Sequence, residues 1–277
     1  MKRIMIGAIL VLMAAVPALL AQQKGNAKGP TPKSRPEAEA VNALIAAQQQ
    51  NSPDAVITAA ENLLTKFKDT EYKDTALFME ALAYQAKGDK DKMQIYLERS
   101  LTANPKNFQA SLRLAEATIQ GTREHDLDRD DKLAKADKYA NDAIASINGA
   151  EKPNPALSDQ QWDEAKKDMI AEAHDALGLS ALQRKNYDQA INEFKTAVDG
   201  AAHPEPAFEV RLASAYQQAG KNDEAITVAE KVMNEQQTPQ QIKSVAQAVR
   251  AAAVVAKNGG KPVTAPAPPP QVEIKKQ

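Results

Sequence analysis

The chain has 277 residues and no cysteine, and its 35 basic residues nearly balance 36 acidic ones, for a formal net charge of −1. The absence of cysteine excludes disulfide bonds, thiol nucleophiles, thiolate metal ligands and a lipid-modified cysteine anchor. The balanced charge leaves no basic excess, so nucleic acid is not expected as a partner.

The first 21 residues have the three-part plan of a secretory signal peptide. Lys2 and Arg3 supply the positive start, an apolar run covers residues 4–20, and the small residue Ala21 is a credible cleavage site. An uncleaved membrane anchor is the alternative, because the run is close to the roughly 17 residues that can span a bilayer. Pro17 and Ala21 favour cleavage. We therefore expect a protein that is exported from a bacterial cell to the periplasm or the outer surface and keeps no membrane span.

A linker and an atypical pair of helices come next. Residues 22–36 combine glycine, proline and cations without an apolar period, which predicts a flexible linker. Two helices are predicted within residues 37–70, where Ser52 is the expected N-cap of the second helix and Pro53 its first residue.

Two more helix pairs are predicted over residues 74–107 and 108–147. The second pair begins with a helix at Phe108, and its partner helix is predicted over residues 134–147. An acidic insert at residues 121–132 separates these two helices.

The acidic insert is the strongest local anomaly of the sequence. Asp126, Asp128 and Asp130 alternate as the ligands of a calcium loop would. Against such a site, Asp131 occupies the position where the loop requires glycine, and the final ligand would be Asp137 instead of the longer glutamate. We interpret the insert as a solvated acidic loop that adds negative charge ahead of the next helix, with a calcium site as the alternative.

A proline-containing break over residues 148–158 precedes a long helix. Ser158 and Gln161 have the spacing of a capping box, which predicts the start of that helix. Trp162 is the sole tryptophan, and we expect it to pack against the preceding helix pair.

Residues 171–202 carry two amphipathic helices in succession, each with the i, i+3, i+4, i+7 spacing of a one-sided helix. Gly178 and Ala190 are small enough for two helix backbones to approach closely, and Phe194 fills the space beyond them. The unit resembles a tetratricopeptide repeat, a helix–turn–helix of about 34 residues. The residues that carry the resemblance are Leu177, Gly178, Ala181, Tyr187, Ala190, Phe194 and Ala197. Two positions depart from the motif, since His174 stands where it has Trp and Lys185 where its turn has Gly.

The pattern recurs along the chain. A shift of about 35 residues brings Leu212, Tyr216, Gly220 and Ala225 into register, and Tyr84 and Gly88 repeat the plan upstream. The resemblance implies an all-α fold, a right-handed superhelical array of helix-turn-helix repeats (an α-solenoid). Its predicted parts are a repeat domain over 37–257, with repeats near 37–70, 74–107, 108–147, 159–202 and 206–237, a closing helix over 239–257 with Thr238 as N-cap, and a disordered Ala/Pro-rich tail over 258–277.

The sequence contains no recognised catalytic motif, cofactor motif or zinc-binding spacing, so we expect no enzyme and no cofactor. The resemblance instead implies a protein or peptide partner on the concave face that the first helices of the repeats line. The positions carried over to that face are Phe78, Leu82, Gln85, Leu112, Glu116, Asp175, Leu179, Gln183, Val210, Ser214 and Gln217. Packing against neighbouring helices is the alternative role for these residues, above all for the three leucines.

The predicted function is therefore a non-catalytic interaction scaffold of the bacterial cell envelope. Two alternatives stay open at this point. One is a self-assembling homo-oligomer, and the other is a calcium-dependent accessory protein or hydrolase that uses the acidic insert.

Overall fold

The computed structural model describes residues 29–153 and 156–259, and the described residues contain helices and no strand. The all-α fold expected from the sequence is confirmed. The predicted signal peptide, residues 1–21, and residues 260–277 of the predicted tail lie outside the described residues. The helices of the described part are α1 (Arg35–Gln49), α2 (Pro53–Lys66), α3 (Lys73–Lys87), α4 (Lys90–Ala103), α5 (Phe108–Gly121), α6 (Arg129–Asn148), α7 (Asp159–Gln183), α8 (Tyr187–Gly200), α9 (Pro206–Gln218), α10 (Asn222–Asn234) and α11 (Gln240–Lys257).

Each helix packs against the helix before it and the helix after it, from α1 to α11. The chain thus forms five helical hairpins, α1–α2 through α9–α10, followed by α11. The first helices of successive hairpins also meet, since α5 contacts α7 and α7 contacts α9, and α11 continues this row by packing on α9. A linear array in which each unit contacts only its neighbours is an α-solenoid, as expected from the sequence.

Small residues set the distance between α7 and α8. A Cβ atom added to Gly178 would lie 2.6 Å from two ring carbons of Phe194, and Phe194 is fully buried. The ring occupies the space that any other residue at position 178 would need. The predicted roles of Gly178 and Phe194 in close packing are confirmed.

The first helices of three hairpins, α3, α7 and α9, end in the same backbone conformation. Gly88, Lys185 and Gly220 have left-handed φ angles of 79°, 62° and 76°. In each turn this residue donates its N–H to the carbonyl three residues back, and the next residue donates to the carbonyl five residues back. This Schellman arrangement satisfies two carbonyl groups at the helix end. Lys185, which departs from the motif in sequence, therefore adopts the backbone conformation of the glycines.

The structure also shows the predicted start of α7. Ser158 Oγ accepts the Gln161 N–H at 3.1 Å, and Gln161 Oε1 accepts the Ser158 N–H at 3.0 Å, so the capping box is confirmed. Trp162 is buried in a cluster with residues of α5 and α6, which include Leu133 and Ile147. The expected packing of Trp162 against the preceding hairpin is confirmed.

The predicted start of the closing helix is wrong by one residue. α11 begins at Gln240 with Pro239 as its N-cap, whereas Thr238 was expected in that position. The Thr238 hydroxyl instead donates to Glu235 Oε2 at 3.2 Å. Thr238 thus contacts the segment between α10 and α11 and leaves the N–H groups of α11 uncapped.

The predicted flexible linker overlaps the folded array. The Tyr72 hydroxyl donates to the Pro30 carbonyl at 2.7 Å, and the Thr31 N–H donates to Glu71 Oε2 at 3.0 Å. α1 then begins at Arg35. Residues 30–36 therefore belong to the folded part, because the turn between α2 and α3 binds their backbone.

The acidic insert is shorter than predicted, because α6 begins at Arg129 instead of near residue 134. Asp130 and Asp131 lie in the first turn of α6, where negative charge interacts favourably with the helix dipole. The Arg129 guanidinium donates to the Gln183 carbonyl at the end of α7. The first residue of α6 therefore links the third hairpin to the end of α7.

Candidate binding groove

The first helices of the hairpins line one groove. The end of α1 and one face each of α3, α5, α7 and α9 surround a cavity of about 490 Å³. Its long apolar side chains come from four different helices, so the groove crosses four successive hairpins. These side chains are Phe78, Met79 and Leu82 of α3, Leu112 of α5, Met169 and Leu179 of α7, and Phe208 of α9.

A second depression covers α1 and α2 only. Its lining is mainly alanine, with short polar side chains such as Asp54 and Thr58, and it offers no aromatic or long apolar side chain as an anchor. We therefore take the groove across the hairpins as the candidate site.

Seven of the eleven positions carried over from the repeat motif line this groove. They are Phe78, Leu82, Gln85, Leu112, Glu116, Asp175 and Leu179. Phe78 and Leu112 are nearly buried, whereas Leu82 and Leu179 are half-buried and present more surface. The structure therefore places these residues together, while their part in binding stays a prediction.

The other four positions do not line the groove. Val210 is buried in a cluster with Ala213, Ala229 and Ala246, because α11 packs over this face of α9. Gln183 Nε2 donates to the Ile119 carbonyl at 2.9 Å and so joins α7 to α5. Ser214 and Gln217, the last two of the four, lie further along α9, where the Ser214 hydroxyl accepts from Gln218 Nε2 at 3.2 Å. In place of these residues, the N-terminal part of α9 supplies Phe208 and Arg211 to the groove.

Charged residues outside the eleven positions carried over from the repeat motif also line the groove. Arg113 lies on α5, Glu172 on α7, Arg211 on α9, and Glu205 directly before α9. The helical period could have identified two of them, since Arg113 is three residues from Glu116 and Glu172 is three residues from Asp175. Arg211 satisfies the same criterion, since it is three residues from the predicted position Ser214 on α9.

An ion pair joins α7 and α9 at the floor of the groove. The Arg211 guanidinium donates to Asp175 Oδ2, and Asp175 is only 5% exposed. Burial raises the pKa of Asp175 to about 7, although the Arg211 charge opposes the rise. Asp175 Oδ1 is buried without a hydrogen-bond partner among the described residues. The Asp175 carboxylate is therefore poorly solvated by water, which disfavours its ionised form.

Glu172 lies one helical turn before Asp175 and is half-buried. Burial raises its pKa to about 7 as well, Arg113 opposes the rise, and the carboxylates of Glu205 and Glu116 add to it. Arg113 Nη1 lies 3.9 Å from Glu116 Oε2. Both guanidinium groups of the groove therefore already face a carboxylate of the protein.

The acidic insert shows an internal arrangement of charges. Lys132 Nζ lies 2.9 Å from both Asp126 Oδ2 and Asp128 Oδ1, and Asp130 is exposed in the first turn of α6. The described residues contain no group of three or more His, Cys, Asp or Glu side chains that could hold a metal ion. The Lys132 ammonium group thus lies between the carboxylates of Asp126 and Asp128, in the position that a bound metal cation would occupy.

Family models for the tetratricopeptide repeat match residues 74–107 and 181–249. The first match covers α3 and α4, and the second runs from the end of α7 into α11. The chain therefore contains tetratricopeptide repeats in these two segments. The groove lies along the first helices of the hairpins.

Two solved structures have a similar fold. TTC0263, a thermophilic TPR protein in Thermus thermophilus, superimposes with a TM-score of 0.51 and 19% identity over 77% of this chain and 98% of that one. The MamA RS-1 ArsTM double mutant gives a TM-score of 0.54 and 15% identity over 72% of this chain and 94% of that one. At these identities the likeness shows the fold alone. A comparison with curated proteins finds no match.

None of the helices within residues 29–153 and 156–259 is long and apolar enough to cross a bilayer. The apolar run of residues 4–20 lies outside this part of the chain.

Proposed function

We propose that this tetratricopeptide repeat protein is a non-catalytic scaffold of the bacterial cell envelope, which binds a peptide segment of a partner protein in the groove. The observation that carries the proposal is the continuity of the groove, which takes side chains from α3, α5, α7 and α9. A surface built from one helix per repeat suits an extended ligand that contacts several repeats in turn.

The chemistry of the groove supports a peptide as the ligand. Apolar side chains, among them Leu82, Leu179 and Phe208, offer contacts for apolar residues of the ligand, and the amide of Gln85 and the carboxyl groups offer polar contacts. A mixture of apolar walls and a few polar groups is typical of sites that bind one segment in one orientation.

Site-specific photo-crosslinking in the producing cells tests the binding site. A photoreactive residue at Leu82, on the groove, is compared with one at Ile95, which is 52% exposed on α4 and does not line the groove. We expect one dominant crosslinked protein from position 82, none from position 95, and loss of the product when Leu179→Glu is added. Equal crosslinking from both positions would count against the groove as the binding site.

The location in the envelope is proposed from the sequence of residues 1–21 and has its own test. Fractionation of cells that produce the full chain should place the protein outside the cytoplasm, with Gln22 as its first residue on N-terminal sequencing. A cytoplasmic protein that retains the first 21 residues would contradict export and would leave the groove proposal standing.

A further inference from the structure

The groove contains more negative than positive groups. Among the described residues that line it, the carboxyl groups outnumber the guanidinium groups by four to two. The acidic residues are Glu116, Glu172, Asp175 and Glu205, and the basic ones are Arg113 and Arg211. A ligand with negative charge would meet net repulsion there, whereas a ligand with positive charge would be attracted.

The protein's own cations do not fully compensate this charge. Arg211 pairs with Asp175 through Oδ2 only, and Asp175 Oδ1 stays buried without a partner among the described residues. Arg113 lies 3.9 Å from Glu116, at the limit of an ion pair. A buried carboxylate oxygen without a donor is costly, and a further cation close by would lower that cost.

We propose that the groove between α5, α7 and α9 holds a basic side chain of the bound segment, a lysine or an arginine, with Glu172 as its direct partner. Glu172 is half-buried and reaches the groove, so its carboxylate can accept hydrogen bonds from an ammonium or guanidinium group. Asp175 lies one turn further along α7. It pairs with Arg211 and adds its negative charge to the same part of the groove. The inference rests on the proposed function, because it assigns one side chain of the peptide that the groove binds.

Proton binding provides a second signature of such a subsite. Burial raises the pKa of both Glu172 and Asp175 to about 7, so each carboxyl is partly protonated at neutral pH. A cationic side chain favours the ionised form, and its binding therefore releases protons. The charged groups that face these carboxyls are Arg113 and Glu116 of α5, Asp168 of α7, Glu205 before α9 and Arg211 of α9. A group with a pKa of about 7 changes its ionised fraction about ten-fold between pH 6 and pH 8, so affinity should rise by up to about ten-fold over this range.

A display library of random nine-residue peptides, selected on the full-length chain, tests the subsite. We expect selected peptides with apolar residues around one lysine or arginine at a fixed position.

In fluorescence anisotropy, Glu172→Gln should weaken the affinity for the best peptide about ten-fold or more, as for loss of a hydrogen bond to a charged group. Asp163→Asn, an equal charge change at an exposed position of α7 outside the groove, should leave its affinity unchanged. The wild-type affinity should increase from pH 6 to pH 8, and this increase should be smaller in Glu172→Gln.

The possible results separate the two proposals. Selected peptides that compete for the groove, lose binding on Leu82→Glu and show no preference for lysine or arginine would overturn the basic subsite and support peptide binding. Selected peptides that keep their affinity in Glu172→Gln would also overturn it. A selection that yields no peptide sensitive to Leu82→Glu would overturn both the subsite and the proposed function. Melting curves of each variant show whether a loss of binding reflects a loss of folding.

Discussion

At the scale of single residues, the contact between Gly178 and Phe194 determines how closely α7 and α8 approach. Gly178→Ala should destabilise the protein by up to about 2 kcal/mol in denaturant unfolding. Alanine favours a helix by about 1 kcal/mol over glycine, but overpacking of a filled core costs about 1–3 kcal/mol, and here the new methyl group would lie 2.6 Å from a fully buried ring.

The matched control for this substitution is Gly200→Ala in α8. A Cβ atom at Gly200 has no other heavy atom within 4 Å, so the gain in helix propensity should appear without a clash. The double variant Gly178→Ala with Phe194→Leu should recover part of the loss, because the shorter side chain frees space. A Gly178→Ala protein that gains as much stability as Gly200→Ala would show that the ring moves aside at no cost.

Glu80 of α3 should make the stability of the protein depend on pH. The residue is fully buried, and burial raises its pKa from 4.5 to about 7, although Tyr96 opposes the rise. A carboxyl with a raised pKa in the folded state stabilises that state at low pH, and this contribution is lost as the pH rises towards 7. Between pH 5 and pH 8 the free energy of unfolding should therefore fall by an amount on the order of 2 kcal/mol from this group.

Glu80→Gln removes the ionisable group and keeps a similar shape. We expect the variant to lose most of this pH dependence and to gain stability relative to the wild type at pH 8, as measured by urea unfolding at both pH values. Glu224→Gln, at an exposed position of α10, should leave the dependence unchanged. Parallel pH curves for Glu80→Gln and the wild type would rule out Glu80 as the source.

At the scale of helices and turns, Lys185 is the residue that departs from its repeated counterparts. It holds the left-handed conformation that glycine holds in the other two Schellman turns, and this conformation costs a non-glycine residue about 1–2 kcal/mol. Lys185→Gly should therefore raise the free energy of unfolding by up to about 1 kcal/mol, after the entropy that glycine adds to the unfolded chain.

The ion pair that Lys185 forms with Glu124 is the competing contribution. Both side chains are about two-thirds exposed, so this pair should contribute little. Lys185→Ala separates the two effects in the same unfolding measurement, because it removes the pair and keeps a Cβ atom in the left-handed conformation. If Lys185→Gly and Lys185→Ala destabilise the protein equally, the pair with Glu124 is the more important contribution.

The sequence predicts the helices and their local contacts better than the groove. The period of apolar and small residues identifies each hairpin, because these residues pack within one repeat or between two neighbours. It misplaces Val210, which the repeat pattern assigns to the groove and which α11 covers in the structure. It also does not identify Arg211 as the partner of Asp175, since these residues lie on two different helices and are 36 positions apart in the sequence. Contacts of this kind depend on how successive hairpins are arranged in space, and a pattern within one repeat does not contain that arrangement.

At the scale of the whole molecule, α11 closes the array by covering the apolar side of the last hairpin. Ala246 is fully buried against Val210, Ala213 and Val232, whereas its neighbour Val245 is 47% exposed. Ala246→Glu would place a carboxylate in an apolar cluster, which costs several kcal/mol unless α11 detaches. We expect α11 to detach and the apolar side of α9 and α10 to become exposed.

Each repeat contacts only its neighbours, so the damage should stay near the C-terminal end of the array. Hydrogen exchange of Ala246→Glu should show lost protection in α9, α10 and α11, with protection in α3 and α4 close to that of the wild type. Val245→Glu introduces the same charge at the adjacent exposed position and should leave all five helices protected. Uniform loss of protection in Ala246→Glu would mean instead that the array unfolds as one cooperative unit.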